Sequence, residues 1–311
     1  MTKEPRTHRP PPLGRIQRRL DEALNRASVV EFDDRSRFVF FSDLHRGDNG
    51  PADAFRPNRK IFLSALTHYD RDGFTYVEVG DGDELWKNRD LTDIRSAHRP
   101  IYRAMERLRA AGRLFVLVGN HQLVRQGCRL ATAGPGYDEA LLLRHRDRDV
   151  RLLVTHGHQA DRGVSRLYGV VRPVVRYLWR RLQSHGLRTS LPEPDEPQAG
   201  LSPIQGAVVW SRRNQARLES RILAWLERAG NLGIICGHTH RPAFAAAGGL
   251  PYYNTGSGVH PGYITGLEIA DGAISLVSWT SEVKDGPGAK SLSSGTPRRV
   301  VLAGPHPLAE R

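Results

Sequence analysis

The chain reads as a layered α/β protein, and three features of its 311 residues point there. Five short apolar runs are bounded by glycine or polar residues, stretches of helical spacing lie between them, and each run breaks off, at once or within two residues, at a side chain able to bind metal. Short β-rich runs bounded in this way read as buried strands, and helices alternating with them make βαβ units. In such sheets ligands gather beyond the strand carboxyl ends.

Residues 1–30 read as a tail and a basic helix. Positions 1–14 are polar and proline-rich and are expected to be disordered, whereas Ile16, Leu20 and Leu24 recur at helical spacing. The first run, Phe38–Phe41, leads into Asp43 and His45. Helices are expected near Arg59–Tyr69 and Ile101–Ala111, each between two strands. Those flanking strands are Tyr76–Val79, leading into Gly80 and Asp81, and Leu114–Val118, leading into Gly119, Asn120 and His121. Leu152–Thr155 precedes His156 and His158, and Leu232–Cys236 precedes Gly237, His238 and His240.

Residues 161–230 differ in character and read as a helical insertion. Leu167, Val171, Val174, Val175, Leu178 and Leu182 keep helical spacing among Arg172, Arg176 and Arg180. A proline- and acid-rich loop over 191–203 follows, then a second basic helix over Ser211–Arg228. Beyond His240, Tyr252–Thr255, Tyr263–Ile269 and Ile274–Trp279 read as antiparallel strands of a second sheet, and 281–311, rich in Gly, Ser and Pro, as a disordered tail. The domain proper is thus 31–280.

Composition limits the function classes. No apolar stretch approaches the roughly 20 residues of a membrane helix and the amino terminus lacks a signal-peptide core, so a cytoplasmic protein is expected. Cys236 lies inside an apolar run, and neither it nor Cys128 points to cysteine chemistry. Basic residues, most of them arginine, outnumber acidic ones 46 to 33. That surface suits phosphates, nucleic acid or anionic headgroups, or is simply solvated.

A lone His or Asp after a strand is usually a cap or a satisfied core residue; five such ends in one chain form a pattern. The order Asp-x-His, Gly-Asp, Gly-Asn-His, His, Gly-His-x-His, spanning Asp43 to His240, resembles the calcineurin-like metallophosphoesterases. The resemblance implies a four-layer α/β/β/α sandwich with a helical insertion and a dinuclear site. Asp43, His45, Asp81 and His240 would hold one divalent ion, and Asp81, Asn120, His156 and His238 the other, with Asp81 bridging. A shared carboxylate holds two cations roughly 3.5–4 Å apart, a spacing that clamps a phosphoryl group. Oxygen and imidazole ligands without thiolate suit two transition-metal ions, manganese being the expected one, with iron, cobalt, nickel or zinc as alternatives.

The resemblance also makes His121 the group that protonates the leaving oxygen, and makes Asp81 and His121 the catalytic pair. Gln122 stands where the family often has a carboxylate that orients this histidine, and Glu84 where many members have Asp. Glu84 and Asp83 read as supporting residues rather than ligands. Gly-Asp-x-x-Glu-x-Trp, from Gly80 to Trp86, is similar to the bacterial UDP-2,3-diacylglucosamine hydrolases, as are the insertion after His156 and Asn254-Thr255-Gly256-Ser257. His121, where those enzymes have Arg, and His158, where they have Asp, depart from them.

The expected activity is hydrolysis of a phosphodiester or pyrophosphate in a phosphorylated small-molecule, nucleotide-linked or lipid-linked substrate, with the insertion as a basic lid able to touch an anionic membrane surface. A nuclease, or a phosphoprotein or cyclic-nucleotide phosphatase, is the alternative within the class, and nucleic acid remains a candidate partner. From another class, a basic binding protein with a structural metal site is opposed by the seven-ligand set, since structural sites close with four. No obligate protein partner is evident.

Overall fold

The computed structural model describes residues 14–88, 90–121, 137–161, 203–246, 248–281 and 295–308. Gln122, Cys128 and the arginine-rich part of the insertion, with Arg172, Arg176 and Arg180, lie outside them.

Two mixed sheets stack face to face. One runs in the order β1 (Ser28–Phe32), β6 (Ala140–His145), β7 (Arg151–Thr155), β8 (Leu232–Cys236), β10 (Tyr252–Thr255), β9 (Pro242–Ala243). The other runs β13 (Arg298–Pro307), β12 (Ala273–Thr280), β11 (Tyr263–Ala270), β2 (Phe38–Phe41), β3 (Thr75–Glu78), β4 (Leu114–Leu117), β5 (Tyr137–Asp138). We call them the β1 sheet and the β2 sheet. In β2, β3, β4, β7 and β8 successive side chains alternate between two cores, as the two-residue period of a strand requires. Phe38, Phe40, Val77 and Leu117 face the inter-sheet core, where they meet Leu152, Val154 and Ile235. Val39, Phe41, Tyr76 and Val116 face outward.

Helices cover both outer faces. Over the β2 sheet lie α2 (Arg59–Arg71) and α4 (Arg99–Ala110), burying Ile61, Phe62, Ala65, Leu66 and Tyr69 from the first and Ile101, Ala104, Met105 and Leu108 from the second. Those spacings make one apolar stripe on each helix. Between them in sequence runs the short α3 (Leu91–Ala97), capped by the Asp90 side chain. Over the β1 sheet lie α1 (Arg15–Arg26) and α5 (Pro203–Leu226), which bring Ile16 and Leu20 together with Leu218, Ile222 and Trp225. The Trp225 indole N–H donates to Asp21 at 2.8 Å and ties the two helices together. The result is the expected α/β/β/α sandwich. No helix among the described residues is long and apolar enough to cross a membrane.

Two expectations about the carboxyl-terminal part fail. Tyr252–Thr255 is no antiparallel neighbour of β11 and β12; as β10 it runs parallel to β8 in the β1 sheet. Its four residues are all buried, which suits an internal parallel position rather than a half-solvated edge. The tail read as disordered over 281–311 contains β13, which pairs antiparallel with β12. Composition failed there because a side-chain anchor, not an apolar pattern, fixes the strand. Arg299 Nε donates to Glu268 Oε1 at 2.7 Å while its Nη2 pairs with the other oxygen, the Tyr69 hydroxyl donates to the same carboxylate, and the Trp279 indole donates to the Tyr69 oxygen at 2.9 Å.

Glu268 is buried, so losing its cation leaves a carboxylate satisfied by Tyr69 alone. Arg299→Ala is expected to lower stability by about 1–2 kcal/mol, less than a fully buried pair would cost because the guanidinium is partly exposed. Urea unfolding tests this; an unchanged midpoint would show that β13 contributes nothing to the fold.

Candidate metal centre

The carboxyl ends of β2, β3 and β4 in one sheet and of β7 and β8 in the other open onto one place. The first three deliver Asp43, His45, Asp81, Asn120 and His121; the last two deliver His156, His238 and His240. Asp43, Asp81, Asn120 and His156 are buried, and His45 nearly so.

Backbone strain concentrates on these residues. Of the seven non-glycine residues with positive φ among those described, five are Asp43, His45, Asp81, His238 and His240, with φ between 49° and 68°. Each costs roughly 1–2 kcal/mol for an L-residue, so the surrounding structure must hold them. It does so by extending the parallel ladder past the strand ends. Asp43, His45 and Arg46 donate their amides to Gly80, Asp81 and Gly82 at 3.2, 3.0 and 2.9 Å. The Gly237 amide likewise donates to His156 at 3.1 Å.

Glycine lets the sheets approach. A Cβ on Gly119 would stand 2.1 Å from Asp81 Oδ1, and one on Gly237 would stand 2.1 Å from Ser42 Oγ and 2.5 Å from Asp43 Oδ2. These contacts give Gly-Asn-His and Gly-His-x-His a physical reason for their first letter. Asn254 fastens the second loop, its amide donating to Gly237 O at 2.8 Å and Thr239 Oγ1 at 3.1 Å.

Three groups of donor atoms result, each with all atoms within 4.8 Å of one another: Asp43, His45 and His240; His45, Asp81 and His121; Asp81, His156 and His238. In the first, His45 Nε2 and His240 Nε2 stand 3.3 Å apart, and Asp43 Oδ1 lies 3.2 Å from His240 Nε2 and 3.8 Å from His45 Nε2. Donors sharing a tetrahedral metal at roughly 2.1 Å stand about 3.4 Å apart. Asp43 Oδ1 is buried and accepts no hydrogen bond, while Oδ2 is satisfied by the His238 amide at 2.8 Å and by Ser42. A buried carboxylate oxygen without a donor, beside two imidazole nitrogens, fits a cation.

At the other pole His156 Nε2 lies 3.1 Å from Asp81 Oδ2 and 3.2 Å from Asn120 Oδ1. Its Nδ1 lies 2.9 Å from Val79 O and so carries the proton, which turns the Nε2 lone pair to the site. Asp161, at the start of the insertion, sets Oδ2 3.4 Å from His238 Nε2, a neighbour that no motif singles out.

Two described residues orient His121. Its ring stacks on Trp86, centroids 4.0 Å apart and planes at 13°, and its Nδ1 lies 2.9 Å from Glu84 Oε1. The Trp86 indole donates to Asn120 O at 3.1 Å. Glu84 Oε2 also lies 3.3 Å from His45 Nδ1, so one carboxylate serves two histidines. Glu84 and Trp86 thus set the orientation of His121. Since His121 also falls within a donor group, it is placed to bind as well as to transfer a proton.

Electrostatics follow from this crowding. Burial opposes charge on His45, but Asp43, Glu84 and Asp81 outweigh it and raise His45 to about 10. Burial also opposes charge on His156, and Asp81 and Asp43 raise it to about 9. Burial would raise Asp81 and Glu84, yet the neighbouring histidines, His156 first for Asp81 and His121 first for Glu84, hold both below the usual carboxylate range. His158 goes the other way: burial, then the charges of His156 and His238, push it down to about 3.

No family model matches the sequence, and no curated protein matches it. Among solved structures the chain is similar to a single mutant of Vps29 from Entamoeba histolytica, at 14% identity and TM-score 0.34 over 86% of this chain and 99% of that one. It is also similar to vacuolar protein sorting 29 from Cryptosporidium parvum, at 12% and 0.36 over 86% and 96%, and to a mutant cold-active protein tyrosine phosphatase, at 13% and 0.38 over 81% and 79%. At so low a level of superposition these likenesses decide nothing about this chain.

Two outcomes test the centre. Gly119→Ala is expected to fold poorly or to lose metal binding, because its methyl would displace Asp81; equilibrium dialysis with a divalent ion reads it. The raised His45 and His156 also set a pH dependence. Both keep a proton in the metal-free protein below about pH 9, and a ligand imidazole must be neutral, so metal affinity should rise with pH up to about 10, where His45 too is neutral, and fall as acid is added. Calorimetry at pH 7.5 in buffers of different ionisation enthalpy should show about two protons released; none released would overturn the expectation that metal displaces protons from raised imidazoles.

Proposed function

We propose that the chain is a metal-dependent phosphoesterase of the calcineurin-like metallophosphoesterase superfamily, hydrolysing a phosphodiester or pyrophosphate bond. Asp43, His45, Asp81 and His240 would hold one divalent ion and Asp81, Asn120, His156 and His238 the other. The observation that carries this reading is that Asp81 belongs to two donor groups, one with His45 and His121 and one with His156 and His238, while His45 links the first of them to Asp43 and His240. The donor set is oxygen and imidazole only, which suits manganese, iron, cobalt, nickel or zinc, and manganese is the ion we favour.

Two bound divalent ions would supply Lewis-acid stabilisation of a phosphoryl group and acidify water. The chain's own residues do the rest. Asp43 and Asp81 are the only carboxylates in the proposed ligand set and Asn120 is neutral, so the loaded site keeps positive charge for an anionic substrate. His121 would pass a proton to the leaving oxygen from Nε2, since Nδ1 is turned to Glu84. The Glu84 carboxylate supports the charged ring, and Trp86 fixes its plane. We favour a nucleotide-linked or lipid-linked pyrophosphate as substrate, on the sequence of Gly80–Trp86 and the insertion after His156.

The purified chain should bind two metal ions and hydrolyse an aryl phosphodiester, losing activity to a chelator. Asp81→Asn should abolish turnover, and near wild-type activity in that variant would sink the dinuclear reading. His121→Ala should keep both ions and slow a substrate with a basic leaving group by roughly 10²–10⁴, sparing a nitrophenyl ester far more. Loss of an ion on that substitution would make His121 a ligand instead.

A further inference from the structure

Arg46 is the one buried arginine or lysine among the described residues, its side chain fully so, and it directly follows the proposed ligand His45. Its Nη1 and Nη2 donate to the two oxygens of Glu78 at 2.7 and 2.8 Å, and its Nε donates to Asp83 Oδ1 at 2.8 Å. Glu78 ends β3 just before Asp81, and Asp83 follows it. One planar guanidinium therefore grips both sides of the proposed bridging residue. The grip is seated from outside: Tyr76 donates its hydroxyl to Glu78 at 2.8 Å, Tyr102 donates to Asp83 at 2.6 Å, and the Tyr102 ring faces the guanidinium carbon at 5.3 Å.

The backbone repeats the tie. Arg46 N donates to Gly82 O at 2.9 Å, Glu84 N donates to Arg46 O at 3.0 Å, and Arg46 and Asp83 form an isolated parallel bridge. Between Glu78 and Asp83 the loop turns through Asp81 in the left-handed region, a conformation that would relax if nothing held its two ends. A Cβ on Gly82 would stand 1.9 Å from Glu78 Oε1 and 2.6 Å from Arg46 Nη2, so the loop is wrapped closely on the ion pair.

We propose that Arg46 is a positioning residue of the metal centre, which, by clamping Glu78 and Asp83, fixes Asp81 and its own neighbour His45 at the spacing two metals require. This rests on the dinuclear reading. The same contacts also satisfy a weaker description, in which Arg46 only neutralises two buried carboxylates, and the experiment separates the two.

Cobalt(II) is the probe, read by stoichiometry, affinity and visible absorption. Wild-type protein taking up fewer than two ions would overturn the dinuclear reading and this proposal with it. Given two ions, Arg46→Met combined with Glu78→Gln removes one charge of each sign, so it balances the buried charge while cutting the clamp; Arg46→Lys keeps the charge without the fork. Both should remain folded, with midpoints lowered because Asp83 loses its fork partner, yet bind cobalt at least about tenfold more weakly and with a shifted absorption band. A folded double variant with wild-type affinity and spectrum would show that Arg46 only balances charge, overturning the proposal while leaving the dinuclear reading intact. Failure of both variants to fold would make Arg46 a folding residue and overturn it equally.

Discussion

Five carboxylates, those of Asp43, Glu78, Asp81, Asp83 and Glu84, are buried in or beside two adjoining loops, and much of the architecture around them answers that charge. A buried ion costs several kcal/mol unless it is paired and hydrogen-bonded. Glu78 and Asp83 have Arg46, Glu84 has His45 and His121, and Asp81 has the His121 amide and His156. Asp43 receives the His238 amide on one oxygen and no hydrogen bond on the other. What the protein leaves unbalanced is concentrated where the imidazoles of both sheets face it, so the need for cations is a consequence of the packing. The raised His45 and His156 express the same deficit in the metal-free chain, with protons standing where metals would stand.

The division of labour between sheets makes the inter-sheet core part of the site. Asp43, His45, Asp81 and Asn120 hang from the β2 sheet, His156, His238 and His240 from the β1 sheet, and the packing of Phe40, Val77, Leu117, Val154 and Ile235 helps set how far apart the sets stand. Interiors packed to crystal density shift little, so this core works as a spacer. The hydroxyls of Ser42 and Thr255, 2.6 Å apart across the junction, join the two sheets directly beneath Asp43.

The layered class, the helices α1, α2, α4 and α5, and the strands that end in donors were legible because each depends on local pattern: a two-residue or 3.6-residue period, or a glycine before a ligand. The convergence of Asp43, His45, Asp81, Asn120, His156, His238 and His240 was legible too, since strand ends of layered sheets meet. Long-range partners were not. Glu84 was seen as a supporting residue, but nothing in Gly-Asp-x-x-Glu says that its two oxygens reach two histidines 39 and 37 residues away in opposite directions along the chain. Arg46 was not singled out, because burial is invisible in a residue type that is so abundant here. In β13 an anchoring Arg299 overrode a composition typical of a loose tail, and β10 was misplaced because pattern fixes a strand's existence and not its neighbour.

The left-handed residues connect these points. Asp, His and Asn tolerate that region better than branched or bulky side chains, but five such positions would still relax if the loops were free. They are held by ladder bonds from one loop to the next, so the geometry of each donor is borrowed from its neighbour: His45 from the Asp81 carbonyl, Asp43 from that of Gly80, and Arg46 from that of Gly82. A centre built in this way is stiff before any ion arrives. Stiffness has a chemical use, since donors fixed at metal-sharing distances pay no ordering entropy on binding and cannot splay to suit an ion that prefers a wider or oxygen-only shell. On the proposed reading, the clamped loops, more than the identity of any single ligand, would bias the centre toward small transition-metal ions over calcium.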